Sequence, residues 1–212
     1  MKLRTYCTKT DIVRAAEILR SGGLVAVPTE TVYGLAAIGL DAEAVEEIYL
    51  VKGRPETKPI SLLVEGIESA SSFCREVPEV ARRLSAAFWP GPLTMILWKN
   101  DLVPSIVTAG GNTVGIRCPD HPLTLSLLRH LGLPLATPSA NPSGFPAPTD
   151  AESVLAYLDG KIPCILDGGT CAVGVASTIL DLTSARLRII RQGVLSAEVL
   201  SAAAGCEVIS CE

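Results

Sequence analysis

The sequence predicts an α/β fold, a twisted and mostly mixed β-sheet with flanking helices. Three observations carry that expectation. Short apolar runs alternate with helix-length amphipathic segments along the whole chain, which is the pattern of an α/β protein. Two of the runs, 178–182 and 187–190, follow each other closely enough to turn back as a hairpin, which puts antiparallel pairing in the sheet. Hydrophobic residues make up 48% of the 212 positions against 19% charged, enough for a sizeable core.

The elements follow in order. Thr10 is placed to cap a helix over 11–20, with Ile12, Ala15, Ala16 and Leu19 as its apolar stripe and Gly22 at its end. A strand is expected at 24–27. Asp41 caps the next helix, with Val45, Ile48 and Tyr49 facing inward. A strand at 60–64 comes next, and Pro78 opens a helix over 79–88. Strands at 93–98 and 113–117, a helix over 122–130 and a short strand at 135–137 continue the alternation. Thr149 to Glu152 has the form of a capping box that starts a helix reaching about residue 158. Strands at 164–166, 178–182 and 187–190 precede a last helix begun by Ser196. No repeat or linker divides the chain, so a single domain over 1–212 is expected, with a core of about 9–194 and a C-terminal helix and tail at 195–212.

Composition excludes several classes. No apolar run approaches the roughly 20 residues of a membrane span, and the N-terminus lacks the apolar stretch of a signal peptide. A net charge of −4 argues against broad non-specific nucleic-acid binding. The seven cysteines, Cys7, Cys74, Cys118, Cys164, Cys171, Cys206 and Cys211, are irregularly spaced and contain no C-x-x-C. They read as reduced thiols of a cytoplasmic protein. Cys206 and Cys211 could pair or bind metal, although a frayed terminus explains them as well. His121 and His130 are too few for a zinc site. His121, in a turn before a helix, reads as structural, and His130 as a partner of its helix dipole.

The chemistry gathers at strand ends. Pro28 to Gly34 brings Thr29, Glu30, Thr31 and Tyr33 to the end of a strand, where ligands sit in open α/β sheets. The same hydroxyls could instead satisfy their own turn. Lys52, Arg54 and Lys58 place three cations within seven positions on a segment interrupted by Gly53 and Pro55. Pro55 holds Arg54 extended, and its planar fork suits phosphate. Arg117 ends an apolar strand and must find an anion, either a structural carboxylate or a ligand. The run from Thr137 to Gly144 opens a strand into small polar residues that can aim backbone N–H groups at an anion, or simply turn. Ser177 and Arg191 mark two more strand ends.

Taken in order, Pro-Thr-Glu-Thr-Val-Tyr-Gly-Leu at 28–35, Lys-Gly-Arg-Pro at 52–55, Trp-Pro-Gly-Pro-Leu-Thr at 89–94, Gly-Ile-Arg at 115–117, Ser-Ala-Asn at 139–141, Ser-Thr-Ile at 177–179 and Arg-Gln-Gly at 191–193 resemble the YrdC-like family, the threonylcarbamoyl-AMP synthases. The resemblance implies a sheet wrapped around a deep basic cavity, in a short, single-domain form. It implies the joining of L-threonine, bicarbonate or CO₂ and ATP into L-threonylcarbamoyl-AMP and pyrophosphate. The product would feed the threonylcarbamoyl modification of adenosine in tRNA. By resemblance, Thr31, Arg117, Thr137 and Ser177 hold threonine. Lys52, Arg54, Lys58, Thr113, Ser139, Asn141, Ala147 and Arg191 hold ATP, with Lys52 and Arg54 as the catalytic cations and Mg²⁺ accompanying the phosphates.

Further implied partners are the downstream tRNA-modifying machinery and a weak tRNA or double-stranded RNA contact. A cytoplasmic location is implied as well. Two positions depart from the family pattern: Leu63 stands where members often have a histidine, and Ala176 where a glutamate is usual. A non-enzymatic RNA-binding module, or a carbamoyl-AMP-forming domain with another acceptor, are the competing expectations.

Overall fold

The computed structural model describes residues 6–7 and 11–210. In chain order the elements are β1 (Tyr6–Cys7), α1 (Ile12–Arg20), β2 (Val25–Val27), β3 (Gly34–Ile38), α2 (Ala42–Lys52), β4 (Leu62–Leu63), α3 (Ile67–Ser71), α4 (Glu79–Phe88) and β5 (Leu93–Trp98). There follow β6 (Thr113–Arg117), α5 (Pro122–Leu131), β7 (Leu135–Ala136), α6 (Ala151–Leu158), β8 (Cys164–Leu166), β9 (Thr178–Asp181), β10 (Leu187–Arg191), α7 (Ala197–Ala204) and β11 (Val208–Ile209).

Among the described residues the strands form one eleven-stranded sheet in the order β1-β8-β2-β3-β7-β4-β6-β5-β9-β10-β11. Parallel and antiparallel pairs occur throughout it, so the expected mixed α/β sheet is present. The expected hairpin is the antiparallel pair of β9 and β10.

Strand residues alternate between two cores, as a period of two requires. Ala26, Leu35, Ala37, Leu62 and Ile116 face the larger core with Val45, Ile48, Leu84, Val154 and Leu200 from the helices. Val25, Val27, Ala36 and Leu63 face the smaller one, against Ala15, Ala16 and Leu19 of α1 and Leu127, Leu128 and Leu131 of α5. The sheet is therefore covered on both faces, and polar groups gather at the strand ends.

Local signals explain most helix ends. The Asp41 carboxylate accepts from the Glu43 and Ala44 N–H groups at the start of α2. Ser196 does the same for Val199 in α7. His121 is structural as expected: its Nδ1 accepts from the Leu123 N–H at the start of α5. The His130 carbonyl, in the last turn of α5, accepts from Arg20.

Several expectations change. The cap of α6 is Asp150, which accepts from the Ser153 N–H, one residue later than the capping-box spacing implies. Asp11 occupies the N-cap position of α1 without a side-chain cap bond, and the Thr10 expected there lies outside the described residues. The strands β1, β3 and β11 and the short helix α3 add to the expected set. Cys164 is disulfide-bonded, which corrects the reading of every cysteine as reduced. Cys74, Cys118 and Cys171 are buried free thiols and Cys206 is an exposed one, while Cys211 lies outside the described residues. No helix among the described residues is long and apolar enough to cross a membrane.

Candidate functional site

The strand ends converge on one cavity of about 210 Å³, open to solvent. Thr29 and Thr31 enter from the β2–β3 connection, Arg54 from beyond α2 and Ser61 from just before β4. Thr94 comes from β5, Arg117 from the end of β6, Thr137 and Ser139 from beyond β7, Ser177 from just before β9 and Arg191 from the end of β10. Leu63, Ile179 and Ala176 supply apolar wall.

Backbone geometry brings these loops together. Gly34 lets β3 lie against the next loop, since a Cβ built there would stand 2.3 Å from Thr137 Cγ2. The Leu35 N–H donates to the Pro138 carbonyl across the same approach (2.8 Å). Gly53 closes α2 in the left-handed region (φ 58°), a conformation glycine adopts without steric penalty. The chain then turns sharply, and Arg54 leaves the helix for the cavity wall.

At the inner end the hydroxyls and a guanidinium form a network. The Thr29 hydroxyl donates to the Val32 carbonyl (2.6 Å) and accepts from the Thr31 and Val32 N–H groups. It also lies 2.9 Å from the Thr31 hydroxyl. Thr29 therefore does the turn work that such threonines can do, while fully buried Thr31 is passed on to Arg117, whose Nη2 donates to Thr31 Oγ1 (2.9 Å). The same Nη2 donates to Glu30 Oε1 (2.7 Å), and Nε donates to the Gly91 carbonyl (3.1 Å). Glu30 Oε2 accepts from the Asp120 N–H (3.0 Å).

The anion demanded by Arg117 is thus a structural carboxylate, yet its Nη1 makes no hydrogen bond among the described residues. Arg117 also lines the cavity.

A second network joins Arg191, Ser177 and Thr94. Arg191 donates from Nε and Nη2 to the Ser177 carbonyl (3.2 and 2.9 Å) and from Nη2 to the Ser177 hydroxyl (3.1 Å). The Ser177 hydroxyl lies 2.9 Å from that of Thr94. Arg54 donates to the carbonyls of Lys58 (3.2 Å) and Pro59 (2.8 Å). Burial holds both guanidinia below their ordinary values, and Arg191 is lowered further by the positive charges of Arg117 and Arg54. Three guanidinia therefore share one concave space whose lining contains no carboxylate. Such a cavity concentrates anions.

Eight of the residues expected at the site line this cavity: Thr31, Arg54, Arg117, Thr137, Ser139, Ala147, Ser177 and Arg191. Four others do not. Lys52 is buried behind the wall, where its ammonium donates to the Ser139 and Asn141 carbonyls, and burial with the nearby Arg54 lowers it to about 8. Asn141 donates to the Pro142 and Phe145 carbonyls (2.9 and 2.7 Å), so its amide ties its own loop together. Lys58 is exposed immediately before the wall residue Pro59. Thr113 begins β6, paired with Trp98, at the opposite end from Arg117.

Ser61 and Thr94 join the site without an individual signal in the sequence, and Glu30, which stands in the strand-end group at 28–34, faces Arg117 instead of the cavity. Glu30 and Thr94 lie inside motifs already singled out at 28–35 and 89–94. Ser61 carried no separate signal.

Known proteins match this chain over most of its length. A family model described as telomere recombination, covering Sua5, YciO and YrdC, matches residues 17–193. A threonylcarbamoyl-AMP synthase of Bacillus subtilis is 46% identical over 196 residues, which are 92% of this chain and 57% of the relative. A putative threonylcarbamoyl-AMP synthase of Mycobacterium tuberculosis is 36% identical over 94% of this chain and 91% of its own length. The solved structure of Pyrococcus abyssi Sua5 complexed with L-threonine superposes with a TM-score of 0.93 at 41% identity, covering 98% of this chain and 62% of that one. The chain thus spans little more than half the length of the Bacillus relative. Matched by the family model over residues 17–193, it belongs to the Sua5, YciO and YrdC family.

Proposed function

We propose that the chain forms L-threonylcarbamoyl-AMP and pyrophosphate from L-threonine, bicarbonate or CO₂, and ATP. The observation that carries this reading is the division of one cavity into two kinds of anion site. Arg117, whose Nη2 donates to the Thr31 hydroxyl and whose Nη1 has no partner among the described residues, suits the carboxylate of an amino acid. The hydroxyls of Thr137 and of Ser177, which also accepts from Arg191 Nη2, suit its amine and side chain. Arg54 and Arg191, whose hydrogen-bond partners are all uncharged, suit a triphosphate. The names of the relatives and the threonine complex of the Pyrococcus protein support the same substrates.

The chemistry needs no protein nucleophile. The threonine amine adds to CO₂ and gives a carbamate. A carbamate oxygen displaces pyrophosphate from the α-phosphorus of ATP. Holding the reactants together and neutralising phosphate charge would supply most of the rate. Lys52 contributes by fixing the backbone of Ser139 and Asn141, and so the shape of the wall. Mg²⁺ would screen and orient the phosphates. The lining offers hydroxyls rather than carboxylates, and no metal-holding group of three or more His, Cys, Asp or Glu exists among the described residues. That donor set suits an ion carried on phosphate oxygens and water. The adenylate would then serve tRNA modification through downstream transfer enzymes.

The test is pyrophosphate release with ATP, Mg²⁺ and labelled bicarbonate, adding amino acids one at a time and identifying the adenylate by mass. Release should require L-threonine and carry the label into the adenylate. Release that is unchanged without threonine would sink the substrate assignment.

A further inference from the structure

Glu30 is the one carboxylate, among the described residues, in an ion pair with any of the three cavity guanidinia. Both members of the pair are more than nine-tenths buried, at 8% and 9% side-chain exposure. Its contacts reach two segments, the end of β6 with the connection that follows it and the loop before β9. Oε1 accepts from Arg117, Oε2 accepts from the Asp120 N–H, and its own carbonyl accepts from the Val173 N–H (2.8 Å). Arg54 and Arg191 have only carbonyl and hydroxyl acceptors.

The same cavity therefore holds one compensated guanidinium and two uncompensated ones. A guanidinium in a concave site without a carboxylate partner, as half-buried Arg54 and exposed Arg191 are, attracts a phosphate, with its greater charge, more strongly than a carboxylate. A guanidinium already facing a carboxylate keeps its hydrogen-bond donors but loses most of that advantage.

We propose that Glu30 is a specificity-determining and positioning residue: it neutralises Arg117 and turns Nη1 towards the cavity, so the inner end takes a carboxylate and rejects phosphate. This rests on the amino-acid reading of that end. The consequence is directional. ATP can enter with its phosphates only against Arg54 and Arg191, and the inner end stays open for the amino acid instead of filling with phosphate.

Glu30→Gln keeps the shape of the side chain and removes its charge. Calorimetric titrations with L-threonine and with orthophosphate, on wild type and variant, separate the possibilities. The expected result is one more bound orthophosphate per chain than in wild type. Unchanged orthophosphate stoichiometry would overturn the proposal even if threonine binding fell, because lost packing alone creates no phosphate site. Failure of wild type itself to bind threonine would sink the amino-acid reading, and the orthophosphate count would still judge Glu30. If Glu30→Gln does not fold, Glu30→Asp keeps the charge but shortens its reach. It should bind threonine at least threefold more weakly with the orthophosphate count of wild type, and any other result overturns the proposal.

Discussion

Lys52 and Arg54 stand two residues apart and look equivalent in the sequence, yet the fold uses them in opposite ways. Lys52 ends α2 while the helix is still packed on the sheet, and the residue is 3% exposed. Its ammonium is consumed by the Ser139 and Asn141 carbonyls, and its own carbonyl accepts from the Ser143 N–H (2.8 Å). Arg54 comes after the left-handed turn at Gly53 and reaches the open cavity. A flexible ammonium with three donors suits convergent carbonyls, and a planar fork suits a ligand with several oxygens. Charge close to a site in sequence is therefore a poor guide to charge that touches a ligand. The left-handed glycine between the two residues decides which one does.

The largest expected effect comes from Arg54. Under the proposed function, Arg54→Ala removes a guanidinium from the phosphate end, and pyrophosphate formation should fall by about a hundredfold or more. The folded state should lose about 1 kcal/mol or less, since the bonds given up are to the partly solvated carbonyls of Lys58 and Pro59. Initial rates and a denaturant midpoint on the same preparation check both halves. Wild-type turnover would remove Arg54 from the phosphate site.

Lys52→Met should give the reverse balance. Filling the space with an apolar chain leaves two carbonyls inside the wall without their donor, at a cost of about 1–3 kcal/mol each if no water replaces it. A stability loss of about 3 kcal/mol by urea titration is the expected outcome. Activity should fall through a displaced Ser139 loop, and the KM for ATP should rise more than kcat falls. If the variant were fully stable yet dead, Lys52 would belong at the ligand, as the resemblance implied, and the contrast with Arg54 would disappear.

Those two residues also mark what could be read from sequence. The convergence of Thr31, Arg117, Thr137, Ser177 and Arg191 was legible because each lies at a strand end, where polar side chains can go in a covered sheet, and that of Arg54 because Gly53 and Pro55 take it out of the helix. Ion pairing was not legible. Arg117 could have faced a carboxylate or a ligand, and only the approach of Glu30 across 87 positions settles that its Nη2 faces a carboxylate. The fate of Lys52 depended on a loop 87 to 89 positions away.

In the fold, β3 carries little strand signal because Gly34–Ile38 is rich in small residues and lacks the branched or aromatic pattern that marks a strand. Its pairing with β2 and β7 makes it a strand. Asp150 displaced Thr149 as the cap of α6 because Ser153, three positions on, supplies the N–H that Asp150 accepts.

The smallest effect is a pH dependence that isolates Lys52. Burial, and then Arg54, lower its pKa from 10.5 to about 8 in the folded protein, while in the unfolded chain it returns to roughly 10.4. Between those values the unfolded state binds more protons than the folded state, so stability from this group rises with pH. Below about pH 8 both states are protonated and the cost of burying the charge is felt in full. As pH climbs from about 8 to about 10.5 that cost is relieved, with a slope of at most about 1.4 kcal/mol per unit. Other groups titrate in the same window, so the informative quantity is wild-type stability minus that of Lys52→Met, measured by urea titration at half-unit steps from pH 7.5 to 10. The difference should increase with pH. A flat difference would mean that the ammonium keeps an ordinary pKa and is less buried than its contacts require. Lys52 would then be exposed to ligand in the same way as Arg54.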